Sequence, residues 1–171
     1  MNELPVSVLT FSEMEAYAER ILNDNEGTRN YMGASNTSKL FRSVGGGITF
    51  TEEKRIMFSD EGIHLHLLTW DTMAKGAIDI ATALGHYYLH FLPNVFSLRS
   101  GETFSFVLKN LDENKNQYEQ QAYDFGLMLL IPQGRLLEGL ATFDKYEDFG
   151  SLEDTFFLYP AVLKYRYNLL R

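Results

Sequence analysis

The sequence predicts an α+β fold in which a small antiparallel sheet packs on several helices. Three observations carry that expectation. Apolar residues recur at helical spacing over 73–91, and again over 116–130. Over 62–69 they alternate with period two, as in a half-buried strand.

Taken in order, Met14, Tyr17, Ala18, Ile21 and Leu22 make one apolar stripe, so a helix is expected over 12–24. Ser12 with Glu15 three residues on reads as its capping box. Asn23 to Ser38 is polar and reads as a loop, long enough to be functional or to hide a short element. Gly45-Gly46-Gly47 precedes Ile48-Thr49-Phe50. No Lys-Ser/Thr follows and no helix opens there, so the glycines read as a turn and not as a phosphate loop. Strands are expected over 46–50, 54–59 and 62–69, and the alternation places His64 and His66 on one polar face. A His-x-His pair can bind metal, but a polar strand face explains it more simply.

The helix over 73–91 has Ala74, Ala77, Ile78, Ala81, Leu84, Gly85, Tyr88 and Leu89 as its stripe, Asp71 or Thr72 as its cap and Pro93 as its stop. Glycine inside a helix costs about 1 kcal/mol relative to alanine. Gly85 therefore predicts close approach by a strand or by the 116–130 helix. Phe104–Leu108 reads as a strand. Pro132 stops the 116–130 helix, a short helix follows over 133–141, and the tail from Ser151 to Arg171 reads as one more.

The chain has 171 residues, of which 45% are hydrophobic, enough for one domain over 1–171 with a continuous core. That composition excludes a disordered chain. The net charge of −8, with no basic run, excludes sequence-independent nucleic-acid binding, which needs cations to displace counterions. There is no Cys, and so no thiol nucleophile. No segment approaches the ~18 apolar residues of a membrane span. A soluble, cytoplasmic chain is expected.

The stretch Ile80-Ala81-Thr82-Ala83-Leu84-Gly85-His86-Tyr87-Tyr88-Leu89-His90 resembles the zinc-binding helix of the ImmA/IrrE metallopeptidases, in outline I-A-H-E-L-G-H-x-L-L-H. Glu119-Gln120-Gln121-Ala122-Tyr123-Asp124-Phe125-Gly126 through Leu129-Leu130-Ile131-Pro132 is similar to the family's E-x-E-A-N-x-F-A-x-x-L-L-M-P. The tail, with Arg166, Leu169 and Leu170, resembles its closing helix, and Leu4-Pro5-Val6 its opening. The resemblance implies a zincin-like core. It also implies that Thr82, Ala83, His86 and Gln121 occupy the site. Thr82 stands where the first zinc ligand belongs, and Ala83 where the general base belongs. Gln121 stands in place of the third ligand, and only His86 remains. Losing a base forfeits roughly 10²–10⁴ in rate, and losing the metal forfeits the activated water as well.

No catalytic residue and no cofactor is expected on these grounds. The alternative is a displaced zinc site built from His86, His90 and a carboxylate such as Glu119, Asp79 or Asp124, since His86 and His90 are themselves four apart on a helix. Tyr87, Tyr88, Tyr118 and Tyr123 read as cleft lining or, more simply, as core. Three functions follow. The first is a non-catalytic relative that binds a protein partner, for which the resemblance implies a DNA-binding repressor of the helix-turn-helix kind in a phage, mobile-element or stress-response setting. The second is a zinc peptidase with rearranged ligands. The third is a structural or virion-associated protein that reuses the fold.

Overall fold

The computed structural model describes residues 8–25, 34–59, 62–69, 71–97, 102–142 and 149–171. Their elements run α1 (Phe11–Asp24), α2 (Ala34–Ser43), β1 (Gly46–Thr51), β2 (Arg55–Ser59), β3 (Gly62–Leu68) and α3 (Met73–His86). A π-helical turn (Tyr87–Phe91) and a 3-10 turn (Leu92–Ser97) follow. The chain continues through β4 (Phe104–Val107), α4 (Gln117–Leu130), α5 (Gln133–Ala141), α6 (Glu153–Phe156) and α7 (Pro160–Asn168). The α+β class is as expected.

The sheet is mixed, not antiparallel. Its order is β1-β3-β2-β4, and β1 runs parallel to β3 with Ile48 opposite Leu65. β2 pairs antiparallel with both β3 and β4. The strands nearest in sequence, β1 and β2, are therefore not neighbours, because β3 lies between them. Residues 52–54 carry the chain past the end of β3. Two strand spacings are about 9.6 Å, within the roughly 14 Å that the four Cα steps from Thr51 to Arg55 can span at about 3.4 Å each. Ile63, Leu65, Leu67, Ile56 and Phe58 are buried on the inner face, while His64 is exposed and His66 half-buried on the outer one.

Several helix boundaries differ from expectation. The capping box of α1 is Thr10 with Glu13, where the Glu13 carboxylate accepts from the Thr10 N–H at 2.8 Å. Glu15, expected in that role, is instead committed to Arg166. The polar stretch 23–38 is not all loop, since α1 continues through Asp24 and α2 begins at Ala34; residues 26–33 lie outside the described residues. Leu4-Pro5-Val6 lies outside them too. The helix over 73–91 changes to π form after His86. Pro93 has no N–H to offer the Leu89 carbonyl, and its ring would meet that carbonyl in a straight helix. The wider turn relieves the clash, and the chain goes on as a 3-10 turn. The tail is two helices, divided where Phe157 adopts φ 54° and Pro160 opens α7.

The crossing of α3 with α4 is where the sequence expectation for Gly85 is met. A Cβ placed on Gly85 would lie 2.0 Å from the Ala122 carbonyl oxygen, and one on Gly126 would lie 2.4 Å from that of Ala81. The helices run antiparallel with backbones in contact, and no side chain fits between them. One apolar core forms on the side of this pair that meets the sheet, α1 and α2; it includes Met14, Phe41, Leu65, Leu84 and Phe125. A second forms against α5, α6 and α7, including Tyr123, Leu136, Phe156 and Leu163.

This geometry sets opposite outcomes for chemically identical changes. Gly85→Ala or Gly126→Ala should each cost about 3 kcal/mol or more, because rigid backbone must move. Gly134→Ala, with nothing within 4 Å of an added Cβ, should gain roughly 0.5 kcal/mol. Urea unfolding of the three variants checks the sign of each.

Candidate functional site

Thr82, His86 and His90 lie four apart along α3 and the π turn, and all three are buried. The Thr82 hydroxyl donates to the Ile78 carbonyl of its own helix at 2.9 Å. Ala83 is packed in the first core beside Ile80 and Leu84. Gln121, on α4, is buried; its amide N–H reaches the Leu9 carbonyl at 3.5 Å, and its side-chain oxygen has no partner. The Gly85–Ala122 contact brings the neighbours of these two residues, His86 and Gln121, to the same level of the crossing. Thr82 and Gln121 nevertheless spend their hydrogen bonds on separate elements.

His86 and His90 are each 1% exposed, and their Nδ1 atoms are 3.0 Å apart. His86 stacks on Phe106 of β4, with centroids 4.4 Å apart and planes inclined by 21°. His90 meets Tyr118 of α4 edge to face at 5.7 Å. Burial holds the His86 pKa well below the ordinary histidine value, with the neighbouring His90 adding to the effect. Burial also pushes His90 down to about 4. Both rings are therefore neutral at pH 7, and one Nδ1–H must donate to the other, bare Nδ1. His90 Nε2 is buried without a partner. An orphaned acceptor costs less than an orphaned N–H. The favoured arrangement thus has His90 donating from Nδ1, with His86 protonated on Nε2.

The carboxylates offered by the alternative zinc site are held by other groups. Glu119 caps α4 through the Asn116 N–H and pairs with Lys109 at 2.7 Å. Asp79 pairs with Lys54 at 2.7 Å, and Lys54 also donates to the Asn110 side-chain oxygen at 3.3 Å. Burial raises the Asp79 pKa to about 6 despite the Lys54 charge. Asp124 accepts from the Tyr165 hydroxyl at 2.7 Å and the Gln120 amide at 2.8 Å, and burial raises its pKa as well. Among the described residues, no three or more His, Asp or Glu side chains gather as metal ligands would. Tyr88 and Tyr123 are core residues, and Tyr87 packs against the first core.

Lys54 as the partner of Asp79 had no sequence signal, because nothing in a three-residue strand link marks a cation that will be covered. Arg166 is wholly buried, and its guanidinium holds both Glu15 oxygens at 2.6 and 2.7 Å and the Ile131 carbonyl at 3.1 Å. A charged residue flanked by Val162, Leu163 and Leu169 in the tail was the one available signal.

No protein-family model matches the chain, and no curated protein and no solved structure matches it. No helix among the described residues is long and apolar enough to cross a membrane.

The histidine pair makes a pH prediction. Each imidazole takes a proton more readily once unfolded, so its contribution is intact above about pH 6.5 and is lost as pH falls towards 4. The loss is on the order of 1 kcal/mol per pH unit for each ring. Asp79 acts oppositely, since its raised pKa favours the folded state most below about pH 4. Comparing wild type with His90→Phe isolates the imidazole contribution. The stability advantage of wild type should shrink steadily between pH 6.5 and 4 in paired thermal melts.

Proposed function

We propose that this chain is a non-catalytic relative of the ImmA/IrrE metallopeptidases, with a zincin-like core, that acts by binding a protein partner. The observation that carries the reading is the state of the position where the family places its general base. Ala83 is an apolar core residue there, and Thr82 beside it spends its hydroxyl on the helix backbone. A metal-bound water would find no base to take its proton. His86, the one residue that matches the family's ligands, is engaged with His90 and Phe106. The partner we favour is a basic, DNA-binding repressor, because the chain's net charge of −8 complements such a protein and repels nucleic acid itself.

The rearranged zinc peptidase is kept as the second reading for one reason. His90 Nε2 is a buried, unpartnered lone pair. To use it with Glu119, the protein would have to break both the Lys109 ion pair and the α4 cap.

Plasma mass spectrometry on dialysed protein separates the two. Less than 0.1 zinc per chain is expected, and one tightly held zinc per chain contradicts the proposal. The combined variant Thr82→His, Ala83→Glu, Gln121→Glu should acquire about one zinc per chain, because two ligands four apart on a helix share a face.

A further inference from the structure

Phe157 ends α6 in the left-handed conformation, at φ 54° and ψ 37°. It is the only non-glycine residue with positive φ among those described. Glycine takes this conformation without cost, whereas a bulky side chain does not. The strain is not repaid by packing, because Phe157 is 69% exposed while its neighbours Phe156 and Leu158 are buried. Two more exposed apolar residues are linked to it through the chain and one hydrogen bond. The Tyr159 hydroxyl and the Thr72 hydroxyl are 2.6 Å apart, which ties the α6–α7 link to the start of α3. Tyr159 is partly exposed, and Met73, next to Thr72, is 82% exposed. Glu153 and Asp154 of α6 are exposed and border this surface. Lys75, on the same turn as Met73, is paired with Asp71 at 3.2 Å.

We propose that Phe157, Tyr159 and Met73 form the docking anchor for a partner protein, through a segment that carries Lys or Arg beside an aromatic or leucine side chain. This deepens, and rests on, the partner-binding reading above. Aromatic residues and methionine are the usual anchors of such contacts. Glu153 and Asp154, which pair with no cation among the described residues, select a basic segment, and they disfavour an anionic membrane surface. The backbone strain at Phe157 is retained because the exposed ring is needed for binding. The site lies at the α6–α7 link and not at the buried histidine pair.

The probe is a random twelve-residue peptide library displayed on phage and panned on the full chain, followed by affinity measurements with the enriched peptides. Enriched peptides should be basic and carry an apolar anchor. Their Kd should rise at least tenfold with Phe157→Gly and at least threefold with Met73→Ser, and should weaken as salt is raised. Phe157→Gly should melt at the same temperature as wild type or higher. No enrichment, enrichment of neutral or acidic peptides, or undiminished binding to Phe157→Gly overturns the proposal. So does a lowered melting temperature, which would make Phe157 a structural residue. Phe157-dependent binding to phosphatidylserine vesicles, with no peptide binding, also overturns it in favour of a membrane. Binding lost with His86→Ala but kept with Phe157→Gly rejects this surface and leaves partner binding standing. Stoichiometric zinc with a lost Phe157 contact does the reverse.

Discussion

The backbone contact between α3 and α4 is the constraint on which the rest of the molecule depends. Gly85 against Ala122 and Gly126 against Ala81 allow the two helices to touch along their backbones. Each glycine costs about 1 kcal/mol of helix propensity, which close packing of the helices must offset. A crossing this tight excludes side chains from its centre and sends them to either side. On one side they meet the sheet, α1 and α2; on the other they meet α5, α6 and α7. The α3 residues just off the crossing line, Thr82 and His86, are thereby buried whether or not they have chemistry to perform.

Polar groups trapped in such an interior need partners, and three pairs here are drawn from distant parts of the chain. Arg166 with Glu15 joins α7 to α1, Lys54 with Asp79 joins the β1–β2 link to α3, and Tyr165 with Asp124 joins α7 to α4. Buried ion pairs contribute little net stability, since desolvation offsets most of the attraction, but breaking one partner is costly. Their effect is to fix which elements meet. The histidine pair differs in being local, four residues apart, and in using neutral groups. The two imidazoles share one hydrogen bond, with His86 stacked on Phe106.

The parts of this fold that were legible in the sequence are those set by local periodicity. The stripes of α3 and α4 and the alternation of β3 lie within single elements, and Gly85 announced the crossing because its cost needs a reason. The parallel placement of β1 was not legible, because it depends on residues 52–54 passing the end of β3, and the outline of a three-residue link suits a hairpin equally well. The capping box moved from Ser12 to Thr10 because Glu15 was claimed by Arg166, 151 residues away. At the candidate site, the spacing of His86 and His90 was legible, but the burial of Thr82, His86, His90 and Gln121 was not, because none of them belongs to the apolar stripe. That His86 and His90 would serve each other could not be read, because i, i+4 spacing suits a metal and a hydrogen bond alike. The exposed, strained Phe157 was hidden inside an apolar run that reads as ordinary helix core.

The two buried imidazoles are partners of each other, with Nδ1 atoms 3.0 Å apart. Long-range nitrogen–proton NMR of selectively labelled histidines, recorded at pH 7 with and without one equivalent of zinc, tests this directly. Two neutral rings of opposite tautomer are expected, His90 protonated on Nδ1 and His86 on Nε2, unchanged when zinc is added. Ring-nitrogen shifts of His86 or His90 that move on addition of one equivalent of zinc would contradict it.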